Sequence, residues 1–177
     1  MRFDFDDEQR EIKDTARQFL STRFKPEKVR ELAEAGTYDE ALWDEVAELG
    51  WAGIAIDEAH GGQGLGMVEL MILCEELGHA CAPLPFLSNA CAGLVIDVAG
   101  SDEQKERWLP GMAAGTLITA VAMTEPGIGS DLASMKTTAI RDGDTYVLNG
   151  SKTFITNGIN ADLVIVAVKT DPGERHK

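Results

Sequence analysis

The sequence predicts an α+β fold, with an N-terminal all-α helical bundle over residues 1–115 and an incomplete antiparallel β-barrel or sheet domain over residues 116–177. In the first part of the chain, apolar residues recur at three- and four-residue steps, which is the period of an amphipathic helix. After Thr116, short apolar and β-branched runs alternate with Gly, Asn and Asp, a pattern typical of strands and turns. Gly115 lies where the first pattern gives way to the second.

The helical half contains six predicted helices. Asp6 is expected to cap the first, whose apolar positions continue towards Phe24. Ser101 is expected to start the last, in a capping box with Gln104. The four helices between them are predicted over residues 27–35, 39–49, 68–80 and 86–99.

Three segments of this half carry more specific expectations. Residues 68–80 are apolar on all sides, which predicts a buried helix. Pro110 and Gly111 are expected to disturb the end of the last helix. The glycine-rich loop 60–66 lacks the Lys-Ser/Thr ending of a phosphate-binding P-loop, so it is interpreted as a tight connection rather than a ligand loop.

The β half contains several short strand candidates. They are residues 117–123, 135–141, 145–148, 153–155 and 163–169. Asp142-Gly143-Asp144 is expected to form the turn after the second. Asn149-Gly150 is a strong hairpin signal, so it is expected to join 145–148 to 153–155.

Composition excludes some classes of partner. The formal charge of −14 argues against nucleic acids and anionic membrane surfaces, which attract Lys and Arg. No apolar stretch approaches the roughly 20 residues of a membrane helix, and the acidic N-terminus is unlike a targeting peptide, so a cytoplasmic location is expected. Cys74, Cys81 and Cys91 form no metal-binding spacing with histidines and are expected to be reduced, mostly buried thiols.

Two polar clusters in the β half indicate a cofactor site. Residues 123–131 read Met-Thr-Glu-Pro-Gly-Ile-Gly-Ser-Asp, and residues 153–158 read Thr-Phe-Ile-Thr-Asn-Gly. Glycines let a backbone approach a ligand closely, and successive N–H groups with hydroxyls can hold anionic oxygens. Taken alone, Pro126-Gly127 would be a simple turn, and Phe154 and Ile155 would be core residues of a sheet.

Both clusters resemble signatures of the acyl-CoA dehydrogenase family. Residues 123–131 are similar to the flavin-binding run T-E-P-G-x-G-S-D after an apolar residue, and residues 149–158 to the run N-G-x-K-x-W-I-T-N-G. Glu75-Glu76-Leu77-Gly78, the loop 61–66 and residues 104–110 also look like family positions. The resemblance covers the whole chain in the family's order.

The resemblance implies FAD as cofactor and assigns residues to it. Thr124 would meet the flavin ring through its hydroxyl and backbone, near the pyrimidine edge and N5. Thr156 would bond near N5. Ser130 would lie by the pyrophosphate and could also touch the acyl-CoA substrate. The implied cofactor-binding residues are Val121, Met123, Thr124, Gly129, Ser130, Phe154, Ile155 and Thr156.

The chain departs from the family pattern at two of these positions. Val121 stands where an aromatic residue is common, and Phe154 replaces the usual Trp. Phe154 keeps an aromatic face but lacks the indole N–H. A contact from that N–H to the flavin is therefore not expected here.

The family's activity is implied for the protein to which this chain belongs. It is the α,β-dehydrogenation of an acyl-CoA thioester to a trans-2-enoyl-CoA, a reaction of fatty acid metabolism, with electrons passed from FAD to electron transfer flavoprotein. A homo-oligomer, tetramer or dimer, is also implied. The catalytic base would be a Glu of a C-terminal helical domain beyond Lys177, whereas Glu125 is expected to bond turn backbone or an ion-pair partner.

Two alternatives remain open from the residues. The first is a related flavin monooxygenase or oxidase on the same scaffold, which would use reduced flavin and oxygen. The second is a non-catalytic chain that serves as a structural subunit of a hetero-oligomer. A Glu facing the flavin would distinguish dehydrogenation from the first, and bound flavin in the intact assembly would argue against the second.

Overall fold

The computed structural model of the chain describes residues 4–171 and 173. The chain divides into two compact units between Leu117 and Ile118. The first unit is helical, and the second contains the strands. No helix within the described residues is long and apolar enough to cross a membrane.

The six predicted helices of the first unit are confirmed, and the ends of the second to fifth lie within one residue of those expected. Their bounds are α1 Asp7–Arg23, α2 Pro26–Ala35, α3 Glu40–Glu48, α4 Met67–His79, α5 Phe86–Ala99 and α6 Asp102–Ala113. The predicted caps are also present. The Asp6 carboxylate accepts the Gln9 N–H at 2.9 Å, and the Ser101 hydroxyl accepts the Gln104 N–H at 3.3 Å. These bonds satisfy helix amides that would otherwise lack a partner.

Gly115 follows the last helix at a position that leaves no room for a side chain. Its φ is +71°, in the left-handed region, and an added Cβ would lie 2.6 Å from the Ala47 Cβ. The Trp43 indole N–H donates to the Gly115 carbonyl at 2.8 Å. This bond satisfies a buried tryptophan and fixes the end of the last helix against α3.

The glycine-rich loop is a tight connection, as predicted. The amides of Gln63, Gly64 and Leu65 donate to the carbonyls of Gly53, Ile56 and Ile54 at 2.9–3.0 Å. Because these N–H groups are used within the chain, they are not available to cradle a phosphate.

Three expectations for this unit are wrong. Helix α4 is not buried on all sides, since the Met71 side chain is 64% exposed. Its buried face includes a charged residue, Glu76, which forms an ion pair with Arg17. Helix α6 continues through Pro110 to Ala113, because Leu109 and Met112 are fully buried and hold its last turn. The thiols are not mostly buried: Cys81 and Cys91 are exposed, and Cys74 is half-buried.

As far as the structure describes it, the second unit contains four strands in two small sheets. Their bounds are β1 Thr119–Ala122, β2 Thr138–Asp142, β3 Thr145–Asn149 and β4 Leu163–Val166. Strands β2 and β3 pair antiparallel, with Thr138 opposite Asn149. Strands β1 and β4 pair parallel, with Thr119 opposite Leu163. A parallel bridge between Thr138 and Lys169 links the two pairs.

The α+β class is thus confirmed, and the described residues form no closed barrel. The parallel β1–β4 pair differs from the antiparallel pairing that was expected throughout. Parallel neighbours need a long crossover connection. Here the connection between β1 and β4 contains the whole β2–β3 hairpin, which supplies that length.

The hairpin predicted at Asn149-Gly150 is wrong. The turn predicted at Asp142-Gly143-Asp144 is confirmed, since β2 and β3 pair across it and Gly143 has a φ of +62°. At Gly150 an added Cβ would lie 2.3 Å from the Thr137 hydroxyl oxygen, so the glycine serves a close approach rather than a turn between strands. Residues 153–155 form no strand.

Candidate functional site

The two polar clusters meet within the second unit. The first follows the end of β1, and the second follows the end of β3. The Thr153 N–H donates to the Thr124 carbonyl at 3.0 Å. This hydrogen bond joins two segments that are far apart in sequence, so the two motifs form one region of the folded chain.

Glu125 organises the first cluster. Its N–H and carbonyl bond with the carbonyl and N–H of Ile128 at 3.2 and 3.1 Å, which closes a tight turn over Pro126 and Gly127. Its carboxylate accepts the Lys136 N–H at 2.8 Å and the Thr137 N–H at 2.9 Å. The carboxylate therefore ties the turn to the segment that leads into β2. The expected local role of Glu125 is confirmed.

Lys152 links Glu125 to the second cluster. Its ammonium lies 3.0 Å from Glu125 Oε1 and donates to the Met123 carbonyl at 2.9 Å. The Lys152 and Glu125 side chains are only 10% and 6% exposed. A buried pair of charges is tolerated when further hydrogen bonds satisfy both partners, as they do here.

The pKa of the Glu125 carboxyl is strongly lowered. Burial acts to raise it, but hydrogen bonds from Thr137, Lys136 and Lys152 outweigh burial and lower the pKa from its usual 4.5 to about 2. A carboxylate with this pKa and with its oxygens already hydrogen-bonded is a poor proton acceptor. The geometry therefore assigns Glu125 to holding the backbone rather than to removing a proton.

The predicted site residues differ in burial. Val121 is half-buried in β1 opposite Ile165 in β4. Thr124 and Ile155 are half-buried, whereas Met123, Gly129, Ser130 and Thr156 are exposed. Phe154 is 92% exposed and has a φ of +54°, which is unusual for an aromatic residue. The structure brings Thr124 to the start of the second cluster through Thr153.

These residues fit a flavin nucleotide. An added Cβ at Gly127 or Gly129 would meet nothing within 4 Å, so both stretches of backbone are open to a ligand. Thr124 and Ser130, in the same motif as these glycines, are half-buried and exposed respectively, and Thr156 of the second motif is exposed. Phe154 presents an uncovered aromatic face, which suits the flat apolar body of a flavin.

Sequence reasoning missed Lys152 as a functional residue. The available signal was a lysine in the second motif and a glutamate in the first, both in short polar clusters. Spacing along the chain does not reveal that they pair, because the hairpin between them brings them together.

The Nδ2 of Asn157 is also buried without a hydrogen-bond partner within the described residues.

Family models match nearly the whole chain. The model of the acyl-CoA dehydrogenase N-terminal domain matches residues 6–116, and that of the acyl-CoA dehydrogenase middle domain matches residues 120–177. The two matches follow one another in the order of the two compact units.

Curated relatives agree with the family models. Cyclohex-1-ene-1-carbonyl-CoA dehydrogenase of Geobacter metallireducens is 42% identical over 161 residues, which are 89% of this chain and 42% of that protein. The mitochondrial isovaleryl-CoA dehydrogenase of Pongo abelii is 37% identical over 170 residues, which are 93% of this chain and 40% of that protein. The chain therefore spans about two fifths of the length of these relatives.

Three solved structures have similar folds, and all are 37% identical to this chain. An acyl-CoA dehydrogenase of Geobacillus kaustophilus matches 97% of this chain and 46% of its own, with a TM-score of 0.84. A chain solved in work on the electron transferring flavoprotein of Acidaminococcus fermentans matches 98% of this chain and 46% of its own, also at 0.84. A glutaryl-CoA dehydrogenase of Mycobacterium smegmatis in complex with FADH2 matches 94% of this chain and 44% of its own, at 0.79. With both family models and these relatives in agreement, the chain belongs to the acyl-CoA dehydrogenase family.

Proposed function

We propose that this chain is the N-terminal part of an FAD-dependent enzyme that converts an acyl-CoA thioester into a trans-2-enoyl-CoA. The observation that carries the proposal is the junction of the two motifs, where the Thr153 N–H bonds to the Thr124 carbonyl. It holds the two segments that resemble flavin-binding signatures in one place. The similar glutaryl-CoA dehydrogenase was solved with FADH2, which supports the choice of cofactor.

The chain's own groups would hold the flavin in distinct ways. Thr124 offers its hydroxyl and backbone N–H to the ring, and Thr156 offers a second hydroxyl. Gly129 and Ser130, both exposed, would accommodate the pyrophosphate. Val121, Met123, Phe154 and Ile155 would supply apolar walls. When bound, FAD would supply the acceptor for the hydride removed from the substrate.

The proton of the substrate has to be removed by a group other than Glu125. The lowered pKa of that carboxyl and its three hydrogen-bond donors make it unsuited to this step. In this proposal a Glu outside the present chain serves as base. Ser130, beside the pyrophosphate, would also contact the acyl-CoA.

We also propose partners for the protein that carries this chain. Electron transfer flavoprotein would accept the electrons, and the similar chain from the Acidaminococcus fermentans work supports this choice. The protein would act as a homo-oligomer, a tetramer or dimer. The wider protein, including the residues that provide the base, would complete the substrate site.

The proposed cofactor is tested on the protein that carries this chain, because the wider protein would complete the site. It should bind FAD stoichiometrically, detected by quenching of flavin fluorescence and by an induced circular dichroism signal in the visible range. Failure of that protein to bind FAD would contradict the proposal.

The proposed reaction is tested on the protein that carries this chain, purified with its flavin. Under anaerobic conditions a panel of acyl-CoAs should bleach the flavin, and enoyl-CoA should appear in equal amount. Reduction of the flavin by NADH without acyl-CoA, followed on admission of oxygen by rapid reoxidation of the flavin and hydroxylation of the substrate, would instead support the monooxygenase alternative. A purified assembly without flavin would support the structural-subunit alternative.

A further inference from the structure

We propose that Lys152, held by Glu125, strengthens the Thr124 backbone N–H as a hydrogen-bond donor and thereby favours the reduced flavin. This inference rests on the proposed function, because it assumes that Thr124 meets the flavin ring. Lys152 would act as a positioning residue, through a peptide group rather than by contact with the cofactor.

Lys152 contacts the peptide group between Met123 and Thr124. The Lys152 ammonium donates to the Met123 carbonyl at 2.9 Å. That carbonyl and the Thr124 N–H belong to the same peptide group. The next residue, Thr153, donates its N–H to the Thr124 carbonyl at 3.0 Å. Two consecutive residues therefore hold the peptide groups on both sides of Thr124.

A cation on a carbonyl changes the amide behind it. It draws electron density towards the oxygen and leaves the N–H more positive, hence a better donor. In chains of hydrogen bonds this effect strengthens each bond by roughly 10–30%. The effect is larger where water is excluded, and Lys152 and Glu125 are only 10% and 6% exposed.

Glu125 keeps this cation in place. Its Oε1 lies 3.0 Å from the Lys152 ammonium, while the amides of Lys136 and Thr137 fix the orientation of the carboxylate. The residue at position 125 must be the acceptor of the pair, since these two amides both donate to it. Exchanging the two charges would leave both amides unpaired, so Glu125→Lys with Lys152→Glu is not expected to restore the pair.

The Thr124 N–H is available for such a role. Among the residues that the structure describes, no backbone carbonyl accepts it. A reduced flavin ring has more negative charge on its edge than an oxidised one, so a stronger donor binds the reduced form more tightly. The expected signature is therefore a change in the ratio of the two affinities, not only in their magnitude.

The experiment compares Lys152→Met with Lys136→Met, which removes the same charge from an exposed side chain in the same unit. In the protein that carries this chain, dissociation constants are measured for oxidised FAD and, anaerobically, for reduced FAD. In Lys152→Met the constant for reduced FAD should rise about tenfold, and that for oxidised FAD clearly less. Lys136→Met should change neither, and Lys152→Arg, which keeps the charge, should recover most of the loss.

The outcomes separate this inference from the function on which it rests. If Lys152→Met weakens both forms equally, or resembles Lys136→Met, Lys152 has at most a structural role and the inference fails while the cofactor assignment stands. If the wild-type protein that carries this chain binds neither form, the proposed function fails and the inference falls with it.

A second variant covers the case in which Lys152→Met does not fold. Glu125→Gln keeps the shape of the side chain but releases the lysine from its anionic partner. It should shift the affinity ratio in the same direction as Lys152→Met, whereas Asp144→Asn, an exposed acid in the β2–β3 turn, should leave it unchanged. An unchanged ratio in folded Glu125→Gln would also overturn the inference.

Discussion

At the scale of single residues, Thr124 is the position whose backbone is held from both sides by residues of the second motif. Its carbonyl is held by Thr153, and the carbonyl before it is held by Lys152. A residue fixed on both sides loses little further freedom when a ligand binds. The proposed flavin contact therefore depends mainly on the hydroxyl and the N–H that remain.

Removing the Thr124 hydroxyl tests its contact with the cofactor. Thr124→Ala should raise the dissociation constant for FAD about fivefold, the effect of losing one hydrogen bond of about 1 kcal/mol. Thr124→Ser keeps the hydroxyl and should bind nearly as well as the wild type. Equal affinities of all three proteins in a fluorescence titration would show that the hydroxyl does not bond the flavin.

Glu125 should make folding stability sensitive to acid. Its pKa is lowered from 4.5 to about 2, so the folded state favours the ionised form. The corresponding stability is fully present above pH 4.5 and is lost as the pH falls towards 2. Urea unfolding between these pH values should show a shallower decline for Glu125→Gln than for the wild type, with Asp144→Asn as the control for loss of one acid. Parallel curves for Glu125→Gln and wild type would contradict the lowered pKa.

At the scale of elements, helices α1 and α4 are joined by a partly buried ion pair. Arg17 donates to both oxygens of Glu76 at 2.7 and 3.0 Å, and the Glu76 side chain is only 2% exposed. Arg17 is 57% exposed, so water screens part of the attraction. Without Arg17, however, the buried carboxylate would lose its principal partner.

Breaking this pair should destabilise the helical unit. Arg17→Met is expected to lower the free energy of unfolding, because it leaves the buried Glu76 carboxylate without its principal partner. Arg10→Met is the matched control and should cost clearly less, because Arg10 pairs with the exposed Asp4 and Asp7. Similar losses in the two variants, measured by urea titration, would contradict a special role for Glu76.

Gly115 and Gly36 separate two effects of a left-handed backbone. Both have positive φ, +71° and +65°, but only Gly115 has a neighbour that an added Cβ would hit. Gly36→Ala should cost about 1 kcal/mol, the conformational penalty alone. Gly115→Ala should cost clearly more, since the Ala47 Cβ would lie at 2.6 Å. A smaller loss for Gly115→Ala in thermal unfolding would mean that α3 can move aside.

The sequence predicted the helices well because their signals are local. The caps at Asp6 and Ser101 act within one turn of helix, and apolar spacing reports which face is buried. The Asn149-Gly150 signal is also local, and it does not report that Gly150 lies close against Thr137, a residue distant in the sequence. Pro110 was misjudged for the same reason, since burial of its neighbours outweighs a broken helix bond.

Only the part of the site that lies in recognisable sequence motifs could be predicted. Thr124 and the second cluster were identified from their resemblance to family signatures, and their assignment to FAD remains a prediction. Lys152 could not be assigned because its role depends on the β2–β3 hairpin, which lies between it and Glu125. Pairing across such a connection is a property of the folded chain, and residue order alone does not determine it.

At the scale of the whole molecule, the two units differ in how much core they contain. Among the described residues, most buried apolar side chains lie in the helical unit, including Leu20, Leu73 and Leu109. Within its described residues, the second unit contributes only Ile118, Ala120, Ala122 and Ala139. Alanine buries little apolar area, so the second unit gains little from the hydrophobic effect.

Separating the units should therefore have unequal results. A fragment of residues 1–117 is expected to fold alone, with helical circular dichroism and a cooperative thermal transition. A fragment of residues 118–177 is expected to show no cooperative transition, because a small core cannot offset the loss of conformational entropy. A cooperative transition in the second fragment would contradict this comparison.

The parallel pair β1–β4 has a consequence for the order in which the chain acquires its structure. The Ile118 N–H donates to the Asp162 carboxylate across 44 residues, and β1 gains its partner strand only when β4 arrives. Closing so long a loop is slow compared with forming helices or the β2–β3 hairpin. During synthesis, β1 therefore leaves the ribosome long before β4, and its edge stays unpaired until β4 has been made. The region proposed to bind the cofactor begins at the end of this strand, so it is among the last parts of the chain to take shape.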